Sequence, residues 1–287
     1  MQSMSWTAAA IDVRVRYTLH LERAVPEMSS SFPSAELVRR QFGSVADAYA
    51  TSTYHASGAD LAALAQAANL DGTQHVLDLG CGAGHMALAI APSAAHVTAV
   101  DVTPDMVATA TRLAAQRGVT NISFQVADVA DLPFPDAHFD LVTSRVAAHH
   151  FAEPRLALRE AFRVMKPSAR LLLIDAVSPE DAALDTFLNC IEILRDASHV
   201  RDWQPSEWLT MLHETGFREA AVVQHFPLVL DGKEWVERMR TPPMKVAMIR
   251  ELFAAATPLQ RQAFAIQSDE PWSFTLGLAL FQATKPR

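Results

Sequence analysis

Short apolar segments alternate with helical segments along most of the chain, and this alternation constrains the fold more than any other feature. Five strands are predicted, at His75–Leu79, His96–Asp101, Ile122–Ala127, Phe139–Ser144 and Arg170–Asp175. The helical patterns between them cover Met86–Ile90, Pro104–Arg117 and Pro154–Met165. Strand, helix and strand repeated in this way indicate an α/β fold, with a mostly parallel sheet and helices on both faces.

After Asp175 the alternation is interrupted by two long insertions. Each precedes a further predicted strand, Ala220–His225 and then Thr275–Ala283. Methionine and aromatic residues at helical spacing in the second insertion usually pack a core, but α/β enzymes also place a substrate lid at such a position. We therefore expect residues 32–176 to form a core with N-terminal helices, and residues 177–287 to add helical lid insertions and the last two strands of the same sheet. The Met and aromatic residues of this insertion are Trp235, Met239, Met244, Met248, Phe253, Phe264 and Trp272.

The region before the first strand has its own patterns. Apolar and polar residues alternate between Asp12 and Glu22, which is typical of a half-buried strand. One interpretation is an arm that pairs with a second subunit in a homo-oligomer; the other, which we favour, is a translated extension over residues 1–31, with the domain beginning near Met28. Two helices are predicted next, Ser34–Ala50 with Ser34 as N-cap, and Gly58–Asn69.

Composition argues against several classes of protein. The chain has a net charge of −8, whereas nucleic-acid binding needs a basic surface. Its two cysteines, Cys81 and Cys190, are too few for a disulfide framework or a zinc site and suit a reducing compartment. No stretch reaches the ~18 apolar residues of a membrane span, and the N-terminus does not resemble a signal peptide. We expect a cytoplasmic protein without a metal site, a nucleic-acid partner or a membrane span.

The turn after the first strand predicts a ligand site. Asp78 lies in that strand, and Gly80, Gly82 and Gly84 follow before the helix. Glycines bring bare peptide groups against a ligand, and in an open α/β sheet this turn lies where ligands bind. The spacing puts His85 where a dinucleotide loop has its third glycine, and Asp78 would repel a pyrophosphate. The pattern favours a cationic ligand without phosphate, such as S-adenosylmethionine (SAM).

Acids also follow the second and third strands. Asp101 can accept hydrogen bonds from both hydroxyls of a ribose, which serves NAD and SAM alike. Asp128 can accept from the exocyclic amine of an adenine, and Val129 can pack on its ring. Asp78, Asp101 and Asp128 at three successive strand ends therefore predict a nucleoside site.

At these residues the chain resembles the class I SAM-dependent methyltransferases, and within them the group that includes the ubiquinone and menaquinone C-methyltransferases. The resemblance is carried by Val76–Gly84, Ala99–Met106, Asp131–Asp140 and Ala161–Pro167. It implies a seven-stranded Rossmann-like sheet with an antiparallel last strand, and SAM as cofactor. The family usually has a glycine pair after the proline, where this chain has Ser168 and Ala169; we expect no effect on the chemistry.

The resemblance also implies which residues bind SAM, and we add others in or next to the same turns. The full predicted set is Tyr49, Asp78, Gly80, Cys81, Gly82, Asp101, Val102, Met106, Asp128, Val129 and Arg145.

Candidates for the chemistry follow the fourth and fifth strands. His149 and His150 lie in the loop after the fourth strand, and Asp175 ends the fifth. Since these strand ends are neighbours in a doubly wound sheet, Asp175 can orient one imidazole and raise its basicity. The arrangement is similar to that of sugar O-methyltransferases in the same superfamily; the alternative is a set of polar caps. We take these three residues as the candidate catalytic group.

The predicted function is methyl transfer from SAM to an oxygen or carbon of a small apolar or aromatic molecule. The loop after the fourth strand lacks the Asn-Pro-Pro-Tyr-like tetrad of enzymes that methylate adenine or glutamine. The alternatives are an NAD(P)-dependent oxidoreductase and a non-methylating SAM-binding cyclase of the same fold. Arg195 and its neighbours suit an anionic or carbonyl group, or else form a solvated helix end. The candidates for acceptor binding are His55, His150, Arg195, His199 and Trp203.

Overall fold

A single seven-stranded sheet organises the computed structural model, which describes residues 33–50 and 56–287. The order across the sheet is β3-β2-β1-β4-β5-β7-β6. Strands β1 to β5 pair in parallel, and β7 runs antiparallel to both of its neighbours. The predicted Rossmann-like sheet with an antiparallel last strand is confirmed. The strands are β1 (His75–Leu79), β2 (His96–Asp101), β3 (Ile122–Val126), β4 (Phe139–Arg145), β5 (Met165–Val177), β6 (Arg218–Asp231) and β7 (Ser273–Thr284).

Helices connect the strands and form the insertions. They are α1 (Pro33–Gly43), α2 (Ala46–Ala50), α3 (Ala59–Ala68), α4 (His85–Ile90), α5 (Pro104–Gln116), α6 (Pro154–Val164), α7 (Ala182–Arg195), α8 (Pro205–Thr215), α9 (Gly232–Arg238), α10 (Pro243–Ala254) and α11 (Pro258–Ala263).

The prediction of one helix over Ser34–Ala50 is wrong. The segment forms α1 and α2, separated by a turn at Ser44 and Val45. The Ser44 hydroxyl donates to the Gln41 carbonyl, 2.9 Å away, and such a local hydrogen bond competes with helix continuation, which Gly43 also disfavours. Ser34 is not an N-cap, because the helix already begins at Pro33, whose fixed φ suits the first turn.

The two faces of the sheet are buried by alternate side chains of the same strands. On β5, Leu171 and Leu173 pack in a cluster with Trp208, whereas Leu172 and Ile174 pack on the opposite face with residues of α3 and α4. A parallel sheet covered on both faces leaves its carboxyl edge as the place for a ligand.

The last two strands are longer than predicted and carry a third apolar cluster. Strand β6 pairs with β7 from Arg218 opposite Thr284 to Asp231 opposite Ser273. Four of the Met and aromatic residues of the second insertion pack in this third cluster, as the packing interpretation predicts. They are Trp235, Phe253, Phe264 and Trp272. Met244 and Met248 do not pack there and are 79% and 49% exposed.

Three further predictions concern the chain as a whole. Within the described ranges, no helix is long and apolar enough to cross a membrane. The predicted extension over residues 1–31 lies outside the described residues. The division of the remainder at residue 176 stays a prediction.

Candidate active site

A cleft enclosing about 1120 Å³ of space, including its open mouth, lies at the carboxyl ends of β1, β2 and β4. The structure brings all eleven residues of the predicted cofactor set to its walls, although they come from separate turns along the chain. They are Tyr49, Asp78, Gly80, Cys81, Gly82, Asp101, Val102, Met106, Asp128, Val129 and Arg145.

The glycine turn after β1 needs glycine for two different reasons. Gly80 has a φ of 64°, and a Cβ there would lie 2.7 Å from the Cβ of Ala147, which is closer than real contacts allow. Gly82 has a φ of 51°, but a Cβ there would meet nothing within 4 Å. The first glycine lets β1 approach the loop after β4, and the second leaves bare backbone facing the cleft.

The carboxylate of Asp78, in β1 just before this turn, is buried. Its Oδ1 accepts a hydrogen bond from the Thr143 hydroxyl at 2.8 Å, whereas its buried Oδ2 has no hydrogen-bond partner in the part of the chain that the structure describes. Burial raises the pKa of Asp78 to about 7. Because a buried polar atom without a partner is costly, this oxygen suits a positively charged donor such as the ammonium group of SAM.

Backbone amides hold the next two acids in place. Asp101 Oδ2 accepts from the Gly82 N–H and Oδ1 from the Thr103 N–H, both at 2.8 Å. Asp128 Oδ1 accepts from the Ala130 N–H at 2.9 Å. Carboxylate oxygens have two lone pairs each, so both acids can still accept from a ribose or an adenine. The residues present therefore fit a phosphate-free cationic nucleoside.

Other members of the predicted set close the walls of the cleft. Arg145 is paired with Asp60 through Nε and Oδ2 at 2.6 Å, with both side chains buried. The Tyr49 hydroxyl lies 3.3 Å from Met239 Sδ, and burial raises the pKa of this tyrosine. Burial likewise raises the pKa of Cys81 well above its usual value, which argues against thiolate chemistry.

A second cavity, enclosing about 580 Å³ of space including its open mouth, adjoins the cleft. The two spaces share the walls formed by Phe42, Tyr49, Val146 and His150. Sequence reasoning missed two of these residues. Val146 lies in the loop already singled out for its histidines, but Phe42 lies on α1 and nothing in its sequence surroundings marks it.

The predicted acceptor-binding residues do not all line the same space. His150 and Arg195 line the second cavity. His199 and Trp203 line neither space: the His199 Nε2 lies 3.2 Å from Asn189 Oδ1, and Trp203 packs against the sheet under Arg201. Their assignment to acceptor binding is not supported, because neither residue lines either space. His55 lies outside the described residues.

Asp175 is paired with His149 rather than with His150. Its Oδ1 lies 2.6 Å from His149 Nδ1, and its Oδ2 accepts the backbone N–H of His149 at 2.8 Å. The His150 Nδ1 instead lies 3.1 Å from the Ser198 carbonyl oxygen. Since a carbonyl only accepts, Nδ1 of His150 carries a proton and Nε2 holds the lone pair.

The two imidazoles have opposite charge behaviour although their ring centroids are 4.1 Å apart. Burial lowers the pKa of His149, but the Asp175 carboxylate outweighs burial and raises that pKa to about 9. Burial and the neighbouring charge of His149 lower the pKa of His150 to about 4. Near neutral pH the pair therefore consists of an imidazolium bound to Asp175 and a neutral imidazole that faces both spaces.

Comparison with known proteins identifies the class to which this fold and cleft belong. A family model described as a methyltransferase domain matches residues 70–216. The methyltransferase YcgJ of Bacillus subtilis, described as uncharacterised, is 38% identical over 249 residues, covering 85% of this chain and 97% of that protein. The crystal structure of YcgJ superposes with a TM-score of 0.77 and covers 79% of this chain and 98% of that one.

A relative with a named substrate matches a shorter segment. The demethylmenaquinone methyltransferase of Clavibacter sepedonicus is 38% identical over 106 residues, which cover 37% of this chain and 42% of that protein. The chain belongs to the class I SAM-dependent methyltransferases and is related to the quinone methyltransferases. Its cofactor is accordingly SAM, as predicted, and none of these relatives supports the oxidoreductase alternative.

Proposed function

We propose that the chain moves a methyl group from SAM in the cleft to an oxygen or carbon of a small apolar molecule in the second cavity. The observation that carries this proposal is the shared wall, because a group lying beside Phe42, Tyr49, Val146 or His150 borders both spaces. Direct transfer between two ligands requires their reacting atoms to be about 3–3.5 Å apart and aligned.

The cleft residues bind the cofactor in this proposal. SAM, when bound, supplies a methyl group on a sulfonium that is open to in-line displacement. Asp78 accepts the ammonium group, Asp101 the ribose hydroxyls and Asp128 the adenine amine. All three carboxylates are held by hydrogen bonds to the protein, so they need little reorganisation on binding.

His150 is proposed as the general base. If the acceptor is a hydroxyl, its proton passes to the Nε2 lone pair of His150 as the new oxygen–carbon bond forms. His149 and Asp175 act as a positioning pair: the Asp175 carboxylate keeps His149 protonated, and the charge on His149 keeps the Nε2 of His150 unprotonated near neutral pH. The low pKa of His150 makes it a weak base that releases the proton readily.

The apolar character of the acceptor is inferred from the walls of the second cavity. Four leucines on the β6–β7 ribbon line it, namely Leu228, Leu230, Leu276 and Leu278. Side chains of this kind favour a ring or hydrocarbon over a sugar or a peptide, because they offer no hydrogen bonds.

The test combines a binding and a mass measurement. Calorimetry with S-adenosylhomocysteine should show association with the folded protein, whereas NADH should give no heat. Incubation with SAM and a panel of small phenols and enols should yield a product heavier by one CH₂ group. A cyclase would instead return a product of unchanged mass, and the absence of any association with S-adenosylhomocysteine would contradict the proposal.

A further inference from the structure

Asp202 is a buried acid in the second cavity that the proposed chemistry does not use. Asp202 is one of the residues that line the cavity, and it is 1% exposed. Neither Oδ1 nor Oδ2 has a hydrogen-bond partner anywhere in residues 33–50 or 56–287. A buried carboxyl group normally has at least one partner, so two buried oxygens without a partner, on a residue that lines a cavity, point to a ligand.

The backbone around Asp202 is held firmly. Its own N–H donates to Asn189 Oδ1 at 2.8 Å, and the N–H groups of Val200 and Arg201 donate to the His149 carbonyl at 2.9 and 3.2 Å. The segment is therefore tied both to α7 and to the loop that carries the histidine pair. These bonds fix the position of the Asp202 backbone beside the cavity.

The charges around Asp202 favour a neutral ligand. Three cations, His149, Arg195 and Arg238, line the same cavity, and His149 and Arg195 have acidic partners, Asp175 and Glu192, at 2.6 and 3.4 Å. A cationic ligand would meet these cations, and an anionic one would meet the carboxylates. Burial and the nearby Glu192 raise the pKa of Asp202 well above its usual value, so its carboxyl group can donate as well as accept.

We propose that Asp202 binds the methyl acceptor, and that this acceptor is an uncharged apolar ring molecule whose hydroxyl or carbonyl oxygen hydrogen-bonds with the Asp202 carboxyl group. The leucines of the β6–β7 ribbon supply the apolar contact for the ring. The inference rests on the proposed function, since it takes the second cavity as the acceptor site, and it adds the charge and the polar group by which the acceptor is recognised.

The experiment measures binding rather than turnover. 2-Naphthol is titrated by calorimetry into protein saturated with S-adenosylhomocysteine, beside three matched probes: naphthalene, 2-naphthoate and the 2-naphthylmethylammonium cation. We expect 2-naphthol to bind most tightly. The Asp202→Leu variant should lose about tenfold or more in 2-naphthol affinity, since a buried hydrogen bond of about 1–3 kcal/mol is removed. Asp202→Asn should stay within about threefold, because an amide both donates and accepts.

The controls separate this inference from the proposed function. S-Adenosylhomocysteine affinity should be unchanged in both variants, and Asp269→Leu, which removes an exposed acid that lines neither space, should leave all affinities unchanged. Protein that binds S-adenosylhomocysteine but not 2-naphthol would overturn the inference alone. Equal 2-naphthol affinity in Asp202→Leu, or tighter binding of the cation or the anion than of 2-naphthol, would also overturn it. Failure to bind S-adenosylhomocysteine would contradict the proposed function itself.

Discussion

The cofactor cleft and the second cavity share a wall but are built in opposite ways. The acids of the cleft lie at the carboxyl ends of strands or just after them, and they are held by hydrogen bonds to backbone or side chains. The second cavity draws on α1, α7, α9 and the β6–β7 ribbon. Two of its cations have acidic partners: Arg195 pairs with Glu192 within α7, and His149 pairs with Asp175 on β5. A cofactor site built from strand ends can stay the same in every protein of the fold. An acceptor site built from insertions can differ between such proteins without any change to the cofactor site.

Electrostatics separate the two spaces further. In the cleft, burial raises the pKa of Asp78 and of Asp101, and the Asp78 Oδ2 faces no donor within the described residues. In the second cavity, His149 and Arg195 are each matched by an acid. The first arrangement suits a cation and the second an uncharged molecule. Experiments that exchange or remove single groups can test this division.

The largest effect is expected at the shared wall. His150→Ala should lower turnover by about 10²–10⁴-fold, because a positioned base contributes a factor of that size. The measurement is the rate of methyl transfer to an acceptor identified by the mass screen. His213→Ala removes an exposed imidazole as the matched control. S-Adenosylhomocysteine affinity should be unaffected, and unchanged turnover in His150→Ala would remove the base assignment.

The next largest effect should be confined to the cleft. Asp101→Ala should weaken S-adenosylhomocysteine binding well over tenfold, since each hydrogen bond to a charged group contributes about 1.5–3 kcal/mol. Calorimetry measures the loss, with Asp269→Ala as an exposed-acid control. Binding of 2-naphthol should change far less. Retained cofactor affinity would contradict the placement of the ribose at Asp101.

A third prediction concerns the positioning pair. Asp175 raises the pKa of His149 from 6.5 to about 9, so the pair stabilises the fold fully below pH 6.5, and this contribution is lost as the pH rises through about 9. Asp175→Asn should lower the His149 pKa by about two units or more in an NMR titration. Its loss of unfolding free energy relative to the parent should be larger near pH 6 than near pH 10. A pH-independent difference in urea unfolding would argue against an ionised pair.

A comparison of two glycines should show a smaller effect and distinguish the cost of backbone strain from the loss of ligand contact. Gly82 and Gly118 have φ values of 51° and 65°, and a Cβ on either would meet nothing within 4 Å. Alanine at either position should therefore cost about 1–2 kcal/mol of stability through strain alone. Only Gly82 lines the cleft, so only Gly82→Ala should weaken S-adenosylhomocysteine binding. Equal affinity in the two variants would show that the ligand does not approach this backbone.

The smallest effect should be seen at His199. Because this side chain lines neither space, His199→Gln should change cofactor and 2-naphthol affinities by less than about twofold. Thermal unfolding should register the change instead, since the His199 Nε2 lies 3.2 Å from Asn189 Oδ1. A large loss of 2-naphthol affinity would restore the acceptor-binding role predicted from the sequence.

The outcome of the individual predictions follows the same division. The eleven residues predicted around the cofactor all reach the cleft. Ten of them lie within a few residues of a strand end, and parallel strands bring those ends together. Tyr49 is the exception, since it lies on α2, before the first strand. Of the residues predicted for the acceptor, His150 and Arg195 reach the second cavity, whereas His199 and Trp203 do not. Along an insertion, neighbouring side chains point in different directions. Residues that are close in the sequence therefore need not line the same cavity.

The sequence alone determined the seven-stranded sheet, the glycine turn and the acids at or just after the ends of the first three strands, since these depend on periodicity, backbone conformation and spacing within short segments. The tertiary structure decided that Asp175 pairs with His149 and that Phe42 borders both spaces. It also decided that Asp202 lines the second cavity with both carboxyl oxygens unpartnered among the described residues. These outcomes depend on where the segment after α7 returns to the loop after β4. That path is set by hydrogen bonds such as those from Val200 and Arg201 to the His149 carbonyl, which no local pattern encodes.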